Sequence, residues 1–185
     1  ISRTISKQNA IDSLHDNGVK ALIDLVPGSS KTYKKLFEHL RSNNIAFIEK
    51  SVLLLTKDII LEKVENELYA EFSDFTSVES IVKCSKRLFD DYVLSKPEQI
   101  ECIIPHIFED DKGHTIENIR ILSGYLAELC SNAVLEMHLL NISADRDHKY
   151  FLDICYAFYD NDVLSEDVIV EWYESEEAKE HHTDA

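Results

Sequence analysis

Turn-forming residues are scarce, with four glycines and three prolines in 185 residues. That supply is too small for a many-stranded β protein, which needs such residues at every hairpin. Positive charge is short as well: 19 Lys and Arg stand against 35 Asp and Glu, a formal net charge of −16. Nucleic acids and anionic membranes are polyanions, so neither is expected as a direct partner, and a basic protein segment fits better. No uninterrupted apolar run is long enough to span a bilayer. The longest candidate, 45–61, is broken by Glu49, Lys50, Lys57 and Asp58, and no charged-plus-apolar leader opens the chain.

Cysteine pairs are missing too. Cys84, Cys102, Cys130 and Cys155 lie far apart among apolar residues, with no Cys-x-x-Cys, and read as buried reduced thiols. Together these absences describe a cytoplasmic protein, in which Asn141-Ile142-Ser143 is a chance match to a glycosylation acceptor. The eight histidines are scattered, with no His-x-x-x-His pair beside a glutamate, so no metal site is expected, nor any cofactor. There is no Gly-x-Ser-x-Gly elbow, and carboxylates are too plentiful for any pair to stand out as acid and base. Gly28-Ser29-Ser30-Lys31-Thr32 follows an apolar run as a phosphate loop does. It lacks two of the required glycines, however, with Leu25 and Ser30 in their places.

What remains is helical pattern in a chain that is 44% hydrophobic, enough for an ordinary core. Ser6–Asp16 is a short helix with Ile11 and Leu14 inward, and Val19–Val26 is an apolar run of either type. Ser29 or Ser30 caps a helix of Tyr33, Leu36, Phe37 and Leu40. A long stretch follows with Ile48, Val52, Leu55 and Ile59 in one stripe, adjoined by Leu53, Ile60, Val64 and Leu68. Thr76-x-x-Glu79 is a capping box for a helix with Ile81, Leu88, Phe89, Tyr92 and Val93 inward. Pro97 starts another, with Pro105 inside it. His114 or Thr115 opens the next, 133–142 adds a short one, and Ser143–Asp147 reads as a polar connector. The expected class is all-α: antiparallel helix pairs stacked as a HEAT-like repeat solenoid, in a single domain over 1–185 whose ends read as boundaries within a longer protein.

The densest signals lie between Tyr156 and Tyr173. Phe151, Ile154, Cys155, Phe158 and Tyr159 share a helical face, and Asp160-Asn161-Asp162 favours a turn. Ser165 is placed to cap a second helix, with Glu166 and Asp167 at the positive end of its dipole and Leu164 and Ile169 at staple positions. Val168, Ile169, Trp172 and Tyr173 make its apolar face. From Glu171 onward Glu174, Glu176, Glu177, Glu180 and Asp184 face a single Lys179. As a solvated helix end these acids need no function. With Asp160, Asp162, Glu166 and Asp167 they also form a negative surface able to attract a lysine-rich segment. Trp172 is read first as hairpin core and second as a binding anchor.

The pattern Phe158-Tyr159-Asp160-x-Asp162-Val163-Leu164-x-Glu166-Asp167-x-Ile169-x-x-Trp172 resembles the first aromatic/acidic box of the W-two domain, the C-terminal helical-repeat domain of eukaryotic translation initiation factors. The wording of the turn is nearest to the epsilon subunit of the exchange factor for initiation factor two, with initiation factor five the other near member. A second box, roughly Trp-Leu-x-x-Ala-Glu-Glu-Glu, does not follow before Ala185, and no catalytic residue of the exchange subunit maps onto this chain. The resemblance implies an interaction module within a larger chain or complex. Its acidic face would take a lysine-rich segment of the beta subunit of initiation factor two, supporting nucleotide exchange or initiation-complex assembly. The partner-binding residues it implies are Asp160, Asp162, Glu166, Asp167, Glu171, Trp172, Glu174, Glu176 and Glu177. Two other readings stay open: a helical-repeat scaffold unrelated to translation, and an enzyme with a pocket of its own.

Overall fold

The computed structural model describes residues 22, 26, 32–73, 77–108, 112–146, 149–176 and 178. The helix expected over Ser6–Asp16, most of residues 19–26, residues 28–31, Thr76, Asp147, His148, Glu177 and residues 179–185 fall outside them, as do the side chains of Leu53 and Leu55. Among the described residues all regular structure is helical. The elements are α1 (Tyr33–Ser42), a 3₁₀ turn (Ala46–Ile48), α2 (Glu49–Ser73), α3 (Val78–Tyr92), α4 (Lys96–Ile107), α5 (Lys112–Leu129), α6 (Ala133–Arg146), α7 (Phe151–Asp160) and α8 (Glu166–Glu174). They fall into two compact units. The first comprises residues up to Glu67 together with Ser85–Leu94, and the second Leu68–Cys84 together with Ser95 onward.

In the first unit α1 buries Tyr33, Leu36, Phe37 and Leu40 along one side. Its cap is Thr32, one residue before the helix, whose hydroxyl accepts from the Lys35 N–H at 3.3 Å, so neither Ser29 nor Ser30 occupies that position. In α2 the buried line within this unit is Val52, Thr56, Ile60 and Val64. Ile59 is exposed, because repeated steps of four residues advance slowly around the helix and carry the buried face away from it. Tyr92 completes the cluster, its ring 6.1 Å from Tyr33 and beneath the Lys63 ammonium at 5.2 Å.

In the second unit α4 packs on α5 and α6, α5 packs on α7, and α6 packs on α7 and α8. Helices α4, α6 and α8 therefore make one layer and α5 and α7 the other. Connections this short force neighbours antiparallel, so the layers are built from stacked helix pairs. The core is Ile100, Ile103, Ile104, Ile107, Ile119, Leu122, Leu126, Leu139, Leu140, Ile154 and Phe158. Helix α4 opens on a capping box: the Ser95 N–H donates to the Glu98 carboxylate at 2.8 Å, and Pro97 stands in the first turn. The helix continues through Pro105 to Ile107.

Three boundaries differ from the sequence expectation. The Ser77 hydroxyl, accepting from the Ser80 N–H, stands just before α3. Helix α5 already includes Lys112 and Gly113, ahead of His114. Helix α6 runs through Ser143 to Arg146, and Ser143 and Ala144 are buried. The polar connector of the sequence is thus the last turn of a packed helix. None of the four cysteines is in a disulfide, and burial pushes the Cys130 thiol up to about 12 and raises that of Cys155.

Candidate functional site: an acidic helical hairpin

Helix α7 ends in a turn built from side chains suited to it. The Asn161 amide donates to the Ala157 carbonyl at 2.8 Å, and Asp162 adopts the left-handed conformation at φ 58°. The Val163 N–H then reaches the Phe158 carbonyl at 2.9 Å and the Asp162 N–H the Tyr159 carbonyl at 3.1 Å, which occupies carbonyls that a helix end otherwise leaves open. Aspartate tolerates this backbone region better than most residues, so one of the acids expected to bind a partner also shapes the turn. Val163 and Leu164 drop into the core beside it.

The start of α8 is held from outside the hairpin. Ser165 has the extended backbone of a cap, yet its hydroxyl does not bond into its own helix. The hydroxyl and backbone N–H of Ser165 both donate to one carboxylate oxygen of Glu136, on α6, each at 2.7 Å. Trp172 is anchored from the same helix: it is 4% exposed, its indole N–H donates to Asn141 Oδ1 at 2.7 Å, and its ring lies 4.8 Å from Phe151. Sequence reasoning missed Glu136 and Asn141, which lie 29 and 31 residues from their partners, and no local signal marks them.

With Trp172 and Val168 inward, the carboxylates point out. Asp160, Asp162, Glu166, Asp167, Glu171, Glu174 and Glu176 are all exposed, and Glu177 lies outside the described residues. Across 151–176 the acids are these seven and Asp153, with no Lys, Arg or His among them. Asp153 meets Lys112 of α5 at 2.8 Å, so one acid of the hairpin is already matched by a cation. The arrangement can attract and orient a cationic chain. It assembles no nucleophile and base.

Residues 128–185 match a family model. Its description is W2: eIF4-gamma/eIF5/eIF2-epsilon. The W2 match begins at the end of α5 and takes in α6, α7 and α8, so the helices that position the hairpin and those that form it lie inside it, while 1–127 lie outside. The match gives this part of the chain a protein-interaction role of the kind found in translation initiation factors, and W2 domains are helical, as this segment is. No curated protein and no solved structure matches the chain.

Two face assignments are corrected. Tyr159 and Tyr173 were expected inward from helical spacing, and both are exposed, Tyr173 by 64%. Each helix is short and lies against the stack on one narrow side, so residues at the flank of the apolar stripe remain in solvent. The second unit also holds a groove of about 390 Å³ whose lining includes Phe72, Ser73, His106 and Asn118. The Ser73 hydroxyl there is given to the Tyr69 carbonyl at 2.8 Å, and His106 stacks on Phe72 at 5.1 Å. Burial, with Arg146 nearby, lowers the imidazole below its ordinary pKa. Among the described residues no group of three or more His, Cys, Asp and Glu is placed to hold a metal ion, and no helix is long and apolar enough to cross a membrane.

Proposed function

We propose that this chain acts in the cytoplasm as a protein-interaction domain of a translation initiation factor, and that the acidic α7–α8 hairpin docks a lysine-rich segment of its partner. The observation that carries the reading is the hairpin itself, eight carboxylates without a single cation in its sequence, lying within the W2 match. The chain's net charge of −16 favours the encounter further, since the field of the whole chain draws a polycation toward the hairpin. The partner that the W2 kinship suggests is the beta subunit of initiation factor two. Docking there would support guanine-nucleotide exchange on that factor or assembly of the initiation complex. The carboxylates supply recognition, while Trp172, fixed in the core, holds the helix that presents them.

Calorimetric titration with a lysine-rich peptide of that beta subunit tests the reading, run beside a variant carrying Asp167→Asn, Glu171→Gln, Glu174→Gln and Glu176→Gln. These four side chains are exposed, so the variant keeps its fold. Binding by the parent chain and a loss of about tenfold or more in the variant is the expected result, corresponding to roughly 1.4 kcal/mol shared among four solvated charges. Equal affinity for both chains would place the docking site elsewhere.

A further inference from the structure

The acids do not account for everything the hairpin exposes. Leu152 is 81% exposed and Tyr156 67%, with Tyr159 also in solvent. At about 3.6 residues per turn these three fall within about 60° of one another around the α7 axis and extend about 10 Å along it, two helical turns. On α8, Val170 and Tyr173 are likewise exposed and three residues apart, sharing their face with Glu166. Phe151 against Trp172 ties the start of α7 to the end of α8, which keeps both stripes on the same hairpin. Side chains of this size at i, i+4 and i+7 are what a helical partner covers with its own apolar face. Leu152 and Tyr156 do not belong to the core of this domain.

The charge around the stripe selects the occupant. A second copy of the chain would bring the same acidic hairpin against this one, and an anionic bilayer would be repelled in the same way. A bare lysine run would match the carboxylates and leave Leu152 and Tyr156 in water. We infer that the hairpin binds a basic amphipathic helix, whose lysines meet the acids of α7 and α8 while aliphatic or aromatic residues at i, i+4 and i+7 cover Leu152, Tyr156 and Tyr159. The inference rests on the docking proposed above and narrows the chemistry of the partner from lysine-rich to lysine-rich with an apolar face.

Two synthetic peptides of equal lysine content test it, one with leucines at i, i+4 and i+7 and one with serines there. Each is titrated by fluorescence anisotropy against the parent chain, against Leu152→Ser/Tyr156→Ser, and against Val134→Ser, which alters an equally exposed side chain on α6. The leucine peptide is expected to bind the parent chain about tenfold or more tightly than the serine peptide, the size of effect one or two buried apolar anchors give. That margin should vanish in the double variant and persist in Val134→Ser, while the serine peptide binds all three alike. Tyr156→Ser alone, expected to lose part of the margin, serves if the double variant melts early. Equal affinity of the two peptides for the parent chain would overturn this inference and leave the electrostatic docking intact. So would a margin that survives in the double variant, or a self-association of the parent chain, seen by sedimentation, that the double variant abolishes. Failure of both peptides to bind at low salt would instead remove the docking on which it rests.

Discussion

At Val93 a β-branched side chain sits at φ 58°, one residue past the end of α3, where the Leu94 N–H closes back on the Phe89 carbonyl at 2.9 Å. Helices usually end there on glycine, whose missing Cβ removes the clash. This chain has few glycines and uses Asn44, Val93 and Asp162 in such positions. For asparagine and aspartate the strain is modest, while for valine it is considerable. Val93→Gly is therefore expected to stabilise the protein by about 1 kcal/mol, the relief of strain exceeding the extra chain entropy, and urea denaturation reads the change. The shortage of glycine was visible in the sequence, but the residue bearing its consequence was not. Val93 fits the inward spacing of α3 and is exposed because the chain turns left-handed at that residue. His106 poses a second question at this scale. Its folded-state pKa lies below the ordinary value of 6.5, so the unfolded chain binds the proton more readily. Stability is full above about pH 6.5 and falls as pH drops from there through the lowered folded value. His106→Phe, which keeps a ring against Phe72, should show a smaller drop in melting temperature between pH 7.5 and pH 5.5 than the parent chain. An equal drop in both would show that the imidazole is not the group responsible.

Elements in this protein are positioned by neighbours more than by their own caps. The sequence made Ser165 a helix cap from its type and place, and the position is right, since α8 starts at Glu166. The partner differs, because the serine turns to Glu136 on α6. Glu136→Ala removes a carboxylate that accepts two short hydrogen bonds and should destabilise the hairpin by about 1–2 kcal/mol, the range of a bond to a charged group lessened by solvent. Hydrogen exchange in α8 measures this most locally, and unchanged protection there would show that α8 is held by Val168 and Trp172 packing alone. The hairpin, its turn and the inward Trp172 were legible because Asp-Asn-Asp, a serine and apolar spacing are local signals. The α6 contribution was not, since Glu136 and Asn141 look like ordinary polar helix positions until α6 and α8 are brought together. The same reason explains the misread end of α6. A Ser-Ala-Asp-Arg run has connector composition, and only burial against the stack makes its serine and alanine helical.

For the molecule as a whole, few turns and repeated helical spacing were enough to expect stacked helix pairs. The alternating layers of α4, α6 and α8 against α5 and α7 have that form. Charge is the other property that belongs to the whole chain. The acids were legible as a count and as a cluster. Which apolar residues stood outside with them was not, because Leu152 and Tyr156 sit in a helix that is apolar on more than one side. Long-range attraction and short-range contact respond differently to salt, and that difference separates an electrostatic docking face from a merely solvated one. The most direct measurement is the affinity of the chain for the lysine-rich beta-subunit peptide across a series of salt concentrations, with the four-acid variant alongside. An affinity that falls steeply with salt for the parent chain, and a weaker, nearly flat response in the variant, is the predicted result. Affinity indifferent to salt, or identical slopes for the two chains, would contradict an acidic hairpin as the docking surface.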